Sequence, residues 1–303
     1  MKKLVLVLTA FAVCSVSLLS PVAAELGDQL RARLGAGRPA GAPAGEDMAY
    51  GRDPLQRLDF WRASTGQAAA PLVVFVHGGG WRRGDKGSAT GSAKVSHFLA
   101  AGYAVASVNY RLVPASTVEQ QAADVAHAVA MLVTHSRALG IDPHRVVVMG
   151  HSAGAHLAAL IGTDMHYLAQ AGLRRDAIRG VILLDGAAYD VPRQIAEGPG
   201  LMNPVYRQAF GSDPARQRAL SPTFQAARPN AAGFLILHVD RASAKDQSDA
   251  LGAALRAAGT PAQVQAIAGT GMRGHMQINR NLGEPDYPAT PIVDAYLRQL
   301  FGA

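Results

Sequence analysis

The sequence has almost no cysteine, no long apolar run after its first residues, and no block of charge of one sign. Its single cysteine is Cys14, so no thiol remains beyond the first 24 residues to form a disulfide or to ligate zinc. A hydrophobic core must hold the fold instead, and the chain is long enough to build one. Val13 precedes Cys14 and Phe11 stands two positions further back, where a lipid-attachment site would want small residues; no lipid anchor is expected. The formal charge is +7, but the basic residues are scattered: Arg82, Arg83, Lys86, Arg111, Arg174, Arg175 and Arg273. A basic stripe with interleaved aromatics is missing, which argues against a nucleic-acid partner. No segment beyond the N-terminus approaches the roughly 20 apolar residues of a membrane span. His151 and His156 are five apart, so they do not share a helix face as a zinc pair would. Neither a metal nor a cofactor is expected, and there is no internal repeat.

What is present begins with an address. Met1, Lys2 and Lys3 precede an apolar run from Leu4 to Val13, and small residues end in Val22-Ala23-Ala24. This is the three-part pattern of a secretory signal peptide, residues 1–24, and it implies export to the periplasm or beyond. Residues 25–47 include RARLGAGRPAGAPAGE, rich in Gly, Ala and Pro without apolar periodicity, and read as a flexible linker. The folded domain is expected over 48–303, starting near Met48.

From there short apolar runs alternate with helical patterns. LDFW, PLVVFVH, YAVASVNY, RVVVMG, GVILLDG, GFLILHV and AQVQAIAG read as strands. Residues 117–139 place Val118, Ala122, Val125, Val129 and Leu132 on one helical face, and Gly140 suits a stop. Helices are also expected over 153–163, 245–258 and 291–302. Strands that are apolar throughout, separated by helices, belong to a mostly parallel sheet covered on both faces: an α/β fold. Ligands of such folds bind beyond the carboxyl ends of the strands, so the residues directly after each strand matter most.

After RVVVM comes Gly150-His151-Ser152-Ala153-Gly154. Small residues flanking a serine between a strand and a helix make a nucleophile elbow, which lifts Ser152 clear of the sheet and aims the Ala153 N–H at a reacting carbonyl oxygen. After PLVVFV comes His77-Gly78-Gly79-Gly80-Trp81. Three bare glycines let a substrate oxygen approach backbone N–H donors, as an oxyanion hole requires. The dinucleotide pattern, G-x-G-x-x-G with a later acidic residue, does not fit. After GFLILHV comes Asp240, and a loop with His275 follows the last strand. His275 can take the serine proton and Asp240 can fix its tautomer. His77 is taken up by the glycine loop, and the other histidines fall on helices, within a strand or on connections. Asp124, inside the long helix, is expected to pair with Arg111.

VVFVHGGGWRRGDK, ASVNYRL, DVAHAVAMLV, GIDPHRVVVMGHSAGAHLAAL and GFLILHVD together resemble the α/β-hydrolase superfamily, in its esterase/lipase group with an HGGG-type oxyanion loop. That group includes hormone-sensitive-lipase-like carboxylesterases and the related kynurenine formamidases and xylan or feruloyl esterases. The resemblance implies Ser152 as nucleophile, Gly79, Gly80 and Ala153 as oxyanion donors, His275 as base and Asp240 as acid. One stretch departs from the pattern. Relatives often place the acid in a longer loop with a following proline, whereas this chain has HVDRASAKDQS. Asp246 and Asp185 are the alternatives for the acid. Residues 187–230 interrupt the strand–helix rhythm and are expected to form a small cap insertion after the sixth strand. Trp81, Tyr189, Leu201, Met202, Tyr206 and Phe210 are the expected substrate contacts. The implied activity is cleavage of a small-molecule carboxylic ester through a Ser-His-Asp triad and an acyl-enzyme. The alternatives are an amidase or arylformamidase on the same triad, and a non-catalytic binding protein on a hydrolase fold.

Overall fold

The computed structural model describes residues 44–64, 69–87, 93–198, 200–227 and 229–302. The expected signal peptide and nearly all of the expected linker lie outside the described residues. Among the described residues eight strands form one sheet: β1 (Glu46–Ala49), β2 (Arg57–Trp61), β3 (Ala70–Val76), β4 (Ala104–Val108), β5 (Ile141–His151), β6 (Gly180–Leu184), β7 (Phe234–Asp240) and β8 (Ala262–Thr270). Their order across the sheet is β1-β2-β4-β3-β5-β6-β7-β8. β1 and β2 pair antiparallel, as do β2 and β4; the remaining pairs are parallel. β1 begins two residues before Met48 and was not expected, since EDMA is mostly exposed and carries no apolar pattern.

The helices are α1 (Lys94–Ala100), α2 (Val118–Thr134), α3 (Ser136–Leu139), α4 (Ala153–Thr163), α5 (His166–Gln170), α6 (Val191–Glu197), α7 (Asn203–Phe210), α8 (Pro214–Ala219), α9 (Pro222–Gln225), α10 (Ala244–Ala257), α11 (Gly271–Arg280) and α12 (Ala289–Phe301). β3 shows why the sheet needs cover on both faces: all seven of its residues are buried. Leu72, Val74 and Val76 face one core with residues of α2, α4 and α10. Val73 and Phe75 face the other, with Val95, Phe98, Ile278, Val293 and Leu297 of α1, α11 and α12. α2 starts in a capping box, Thr117 with Gln120, worth about 1 kcal/mol. The long helix expected over 117–139 breaks at His135, and the segment ends at Gly140 in the left-handed region. Asp124 is buried on α2 and takes a two-pronged hydrogen bond from Arg111, fastening the exit of β4 to the helix. The expected cap lies between β6 and β7 and holds α6 to α9. Among the described residues no helix is long and apolar enough to cross a membrane.

Candidate active site

The carboxyl end of β5 turns sharply into α4 at Ser152. The serine has φ 55 and ψ −118, a backbone conformation that side chains rarely accept and that persists only where the surroundings enforce it. Those surroundings are close backbone. A Cβ added at Gly154 would lie 2.2 Å from the Val76 carbonyl oxygen, and one at Gly150 would lie 2.2 Å from the Gly154 carbonyl oxygen. The Ser152 N–H donates to the Leu184 carbonyl at 3.1 Å, which ties the elbow to β6. Ala153 opens α4, so its N–H belongs to the first turn, where no intrahelical acceptor exists.

The glycine loop after β3 packs against this elbow. A Cβ on Gly78 would sit 3.1 Å from the Ser152 Cβ. Gly79 has φ +125 and no room for a side chain, since an added Cβ would meet the Arg83 carbonyl oxygen at 2.0 Å. His77 braces the loop: its Nδ1–H donates to the Gly78 carbonyl at 2.7 Å and its ring stacks on Tyr110. The Gln121 amide of α2 holds the Trp81 carbonyl at 2.6 Å.

His275 lies on α11 rather than in the expected loop. Its Nδ1 donates to Oδ2 of Asp185 at 2.5 Å. The hydrogen bond expected to reach Asp240 is therefore made to Asp185, the alternative that follows β6. Asp240 closes β7 with an exposed side chain and pairs in register with Thr270 of β8. Asp246 sits in the first turn of α10, also exposed, and faces Arg193 at 3.3 Å. The reason is the geometry of neighbouring strands. β5 and β6 pair with His151 opposite Leu184, so the next residues, Ser152 and Asp185, leave the sheet side by side.

Asp185 is fully buried. Burial alone would push its carboxyl up; the hydrogen bond from His275 and the charge of Arg241 outweigh burial and hold it below the ordinary carboxylate range. Its Oδ1 accepts the Val239 N–H at 3.1 Å. His151, the second residue of the elbow, is also part of the cluster. Its Nε2–H donates to the His275 carbonyl at 2.8 Å, and the two rings lie 4.6 Å apart. Burial, joined by repulsion from His275, keeps His151 well below the usual histidine value, so it stays neutral. Lys94 of α1 is buried over the Phe75 ring and donates to Asn279, one turn beyond His275 on α11. Neither His151 nor Lys94 was singled out as a site residue. Only the position of His151 inside the elbow could have signalled its contact.

The aromatic residues expected to touch substrate are packed inward. Trp81, Tyr189 and Tyr206 are 1%, 0% and 3% exposed. The Trp81 ring meets Phe210 edge-on at 4.8 Å and Tyr206 at 6.0 Å. Its Nε1–H donates to Nδ1 of His156 at 3.3 Å, and the Nε2–H of His156 donates to the Leu220 carbonyl at 2.8 Å. These side chains join the cap to the main core. Leu201 and Met202 of the cap remain exposed, as do Met272 and Met276, which flank His275.

The BD-FAE family matches residues 58–174. Esterase LipC of Mycobacterium tuberculosis is 31% identical over 201 residues, 63% of this chain and 49% of that one. Isoprenylcysteine alpha-carbonyl methylesterase ICME of Arabidopsis thaliana is 37% identical over 112 residues, 37% of this chain and 26% of that one. The chain thus spans about half or less of the length of these curated relatives. Among solved structures, esterase B from Lactobacillus Rhamnosis aligns with a TM-score of 0.72 at 22% identity, covering 92% of this chain and 91% of that one. The propionate-bound esterase Est2 from Thermogutta terrifontis aligns with a TM-score of 0.66 at 21% identity, covering 85% and 95%. At these identities the structural likeness speaks for the fold. With the strand order, the elbow at Ser152 and the glycine loop behind it, the chain has the α/β-hydrolase fold, and its residues 58–174 match the BD-FAE family.

Proposed function

We propose that the chain is a serine carboxylesterase that works outside the cytoplasm, with Ser152, His275 and Asp185 as its triad. The observation that carries this reading is the His275–Asp185 hydrogen bond beside a serine held in a strained elbow. With Nδ1–H committed to Asp185, the imidazole keeps its lone pair on Nε2. That nitrogen takes the Ser152 hydroxyl proton as Oγ attacks the ester carbonyl. The oxyanion is held by backbone N–H groups of Gly79, Gly80 and Ala153. The intermediate collapses, His275 passes the proton to the departing alcohol, and the acyl group stays on Oγ. Water then attacks the acyl-enzyme by the same route, giving the free acid and restoring Ser152. No step calls for a cofactor.

The names of the relatives support ester cleavage, and the propionate held by the Thermogutta esterase supports a short acyl chain. Export rests on the pattern from Met1 to Ala24. Hydrolysis of p-nitrophenyl esters from acetate to palmitate, on wild type and Ser152→Ala side by side, tests the reading. Turnover that peaks at short chains and vanishes in the variant is the expected result. N-formylkynurenine turned over faster than any ester would make the chain an amidase instead. A folded wild type that neither turns over substrate nor reacts with a fluorophosphonate removes the reading altogether. N-terminal sequencing of exported protein tests cleavage after Ala24.

A further inference from the structure

Asp240, the last residue of β7, where an acid was expected, is followed at once by a cation that reaches back to the end of β6. Arg241 donates through Nε to Oδ2 of Asp185 at 2.8 Å. Its Nη2 donates to the carbonyl oxygens of Asp185, at 3.3 Å, and of Gly186, at 2.8 Å. One guanidinium therefore takes a side-chain and two backbone acceptors from a single turn. That turn is strained: Asp185 has φ 44, a left-handed conformation that a non-glycine residue accepts only under constraint. The Arg241 side chain is only 12% exposed. Its fork cannot be replaced atom for atom by an ammonium. His275 and Arg241 also share the same carboxylate oxygen.

We infer that Arg241 is the positioning residue that seats the triad acid at the end of β6 and limits how strongly that carboxylate draws on His275. The inference rests on the proposed triad. Two consequences follow from the geometry, and they separate. Without the fork, Asp185 loses the brace on its strained turn and His275 loses its alignment, which lowers kcat more than it changes KM. Without the charge, the carboxylate faces the imidazole alone, imidazolium is better stabilised, and a higher pH is needed to free Nε2. The groups facing this carboxylate are His275 from α11, Arg241 from the β7 exit, Tyr189 from the start of the cap and Tyr287 from the loop before α12. His151 and Lys94 stand behind them.

The test uses Arg241→Met and Arg241→Lys in the whole chain, with thermal melts to establish folding. Two rates are followed from about pH 5 to 9: p-nitrophenyl acetate turnover, and inactivation by diethyl p-nitrophenyl phosphate. Arg241→Met is expected to lose about tenfold in kcat with KM within about twofold. Its acidic limb should move up by roughly half a unit to one unit in both assays. Arg241→Lys keeps the charge and drops the fork, so its limb should stay in place while kcat falls several-fold. A folded Met variant with an unmoved limb overturns the inference, whatever its kcat. If the Met variant does not fold, a Lys variant with wild-type kcat overturns it. A wild type that is inactivated by the phosphate triester but hydrolyses no carboxylic ester would retire the esterase reading alone. The inactivation profiles would still decide the role of Arg241.

Discussion

The imidazole Nδ1 of His275 lies 2.5 Å from a carboxylate oxygen of Asp185, a residue 90 positions earlier in the chain. Such a short charge-assisted bond, buried on both sides, fixes the tautomer and the plane of the ring together. Asp185→Asn would present an amide where a carboxylate is needed. By analogy with triad Asp-to-Asn changes elsewhere, kcat should fall about 10^4-fold. Asp240→Asn, on an exposed side chain at the end of β7, should stay within about threefold of wild type. Steady-state kinetics on the two variants decide the matter, and the reverse pattern would return the acid to β7.

Ser152, the proposed nucleophile, is also the strained residue of the elbow. Its φ of 55 with ψ −118 suits glycine and penalises any residue with a Cβ. Ser152→Ala keeps that penalty and Ser152→Gly releases it. Both should lose about 10^4 to 10^6 in turnover. The glycine variant should nevertheless be more stable than the alanine variant by about 1 kcal/mol, after the entropy of the unfolded chain offsets part of the relief. Calorimetry of the two side by side is the measurement. An alanine variant equal to or above the glycine variant would mean that the elbow stores no strain.

Stability should fall with acid in two stages. Burial lowers the His156 imidazole to about 4, from an ordinary 6.5. The folded value lies below the unfolded one, so the unfolded chain binds the extra proton first. Stability is complete above pH 6.5 and drains away as pH falls to about 4, by about 3 kcal/mol for this residue. Burial lowers His77 and His151 in the same sense. Asp185 is depressed too, but as an acid: its contribution is present above the ordinary carboxylate range and is lost only as pH falls through its lower folded value. Urea unfolding from pH 7 to 3 should show the first loss before the second. His156→Gln can keep both hydrogen bonds without titrating, and it should flatten the slope between pH 6.5 and 4. An unchanged slope would clear His156 of the effect.

Gly154→Ala places a methyl group 2.2 Å from the Val76 carbonyl oxygen, against backbone that cannot rotate away. The elbow and β3 must then separate. A loss of about 2 kcal/mol or more is expected, together with activity, because Gly78 packs on the same elbow. Denaturant midpoints and p-nitrophenyl ester turnover measured on the same preparation test this. A stable, fully active alanine variant would show that the contact is looser than it stands here.

Much of this arrangement was legible in the sequence because buried parallel strands announce themselves. The apolar runs located β2 to β8, and looking directly after them led to the turn at Ser152 and to the glycine loop. β1 was not legible, since an exposed edge strand of four residues has no apolar face to reveal it. His275 read as a loop residue because Gly271 and Gly274 depress helix propensity, yet tertiary packing makes the segment α11. The acid was harder for a different reason. Asp185 follows β6 and Asp240 closes β7, strands that neighbour one another, and no periodicity tells which of two adjacent strand ends a histidine from a third will reach. The one available signal was electrostatic: Arg241, beside Asp240, is a cation that a buried carboxylate on the next strand would explain. The cap aromatics were visible as large apolar residues, but pattern alone does not say whether such rings face a ligand or a core.

The indole of Trp81 and the imidazole of His156 weld the cap to the loop that precedes them, through the Leu220 carbonyl and the rings of Tyr206 and Phe210. Insertions of this kind are where hydrolases diversify, since loops above a rigid sheet tolerate exchange. Here the exchange is not free. A change that remodels α7 also disturbs Trp81, the residue immediately following the glycine loop. The cap and the glycine loop are thereby yoked, so that whatever repacks one through Trp81 is felt by the other.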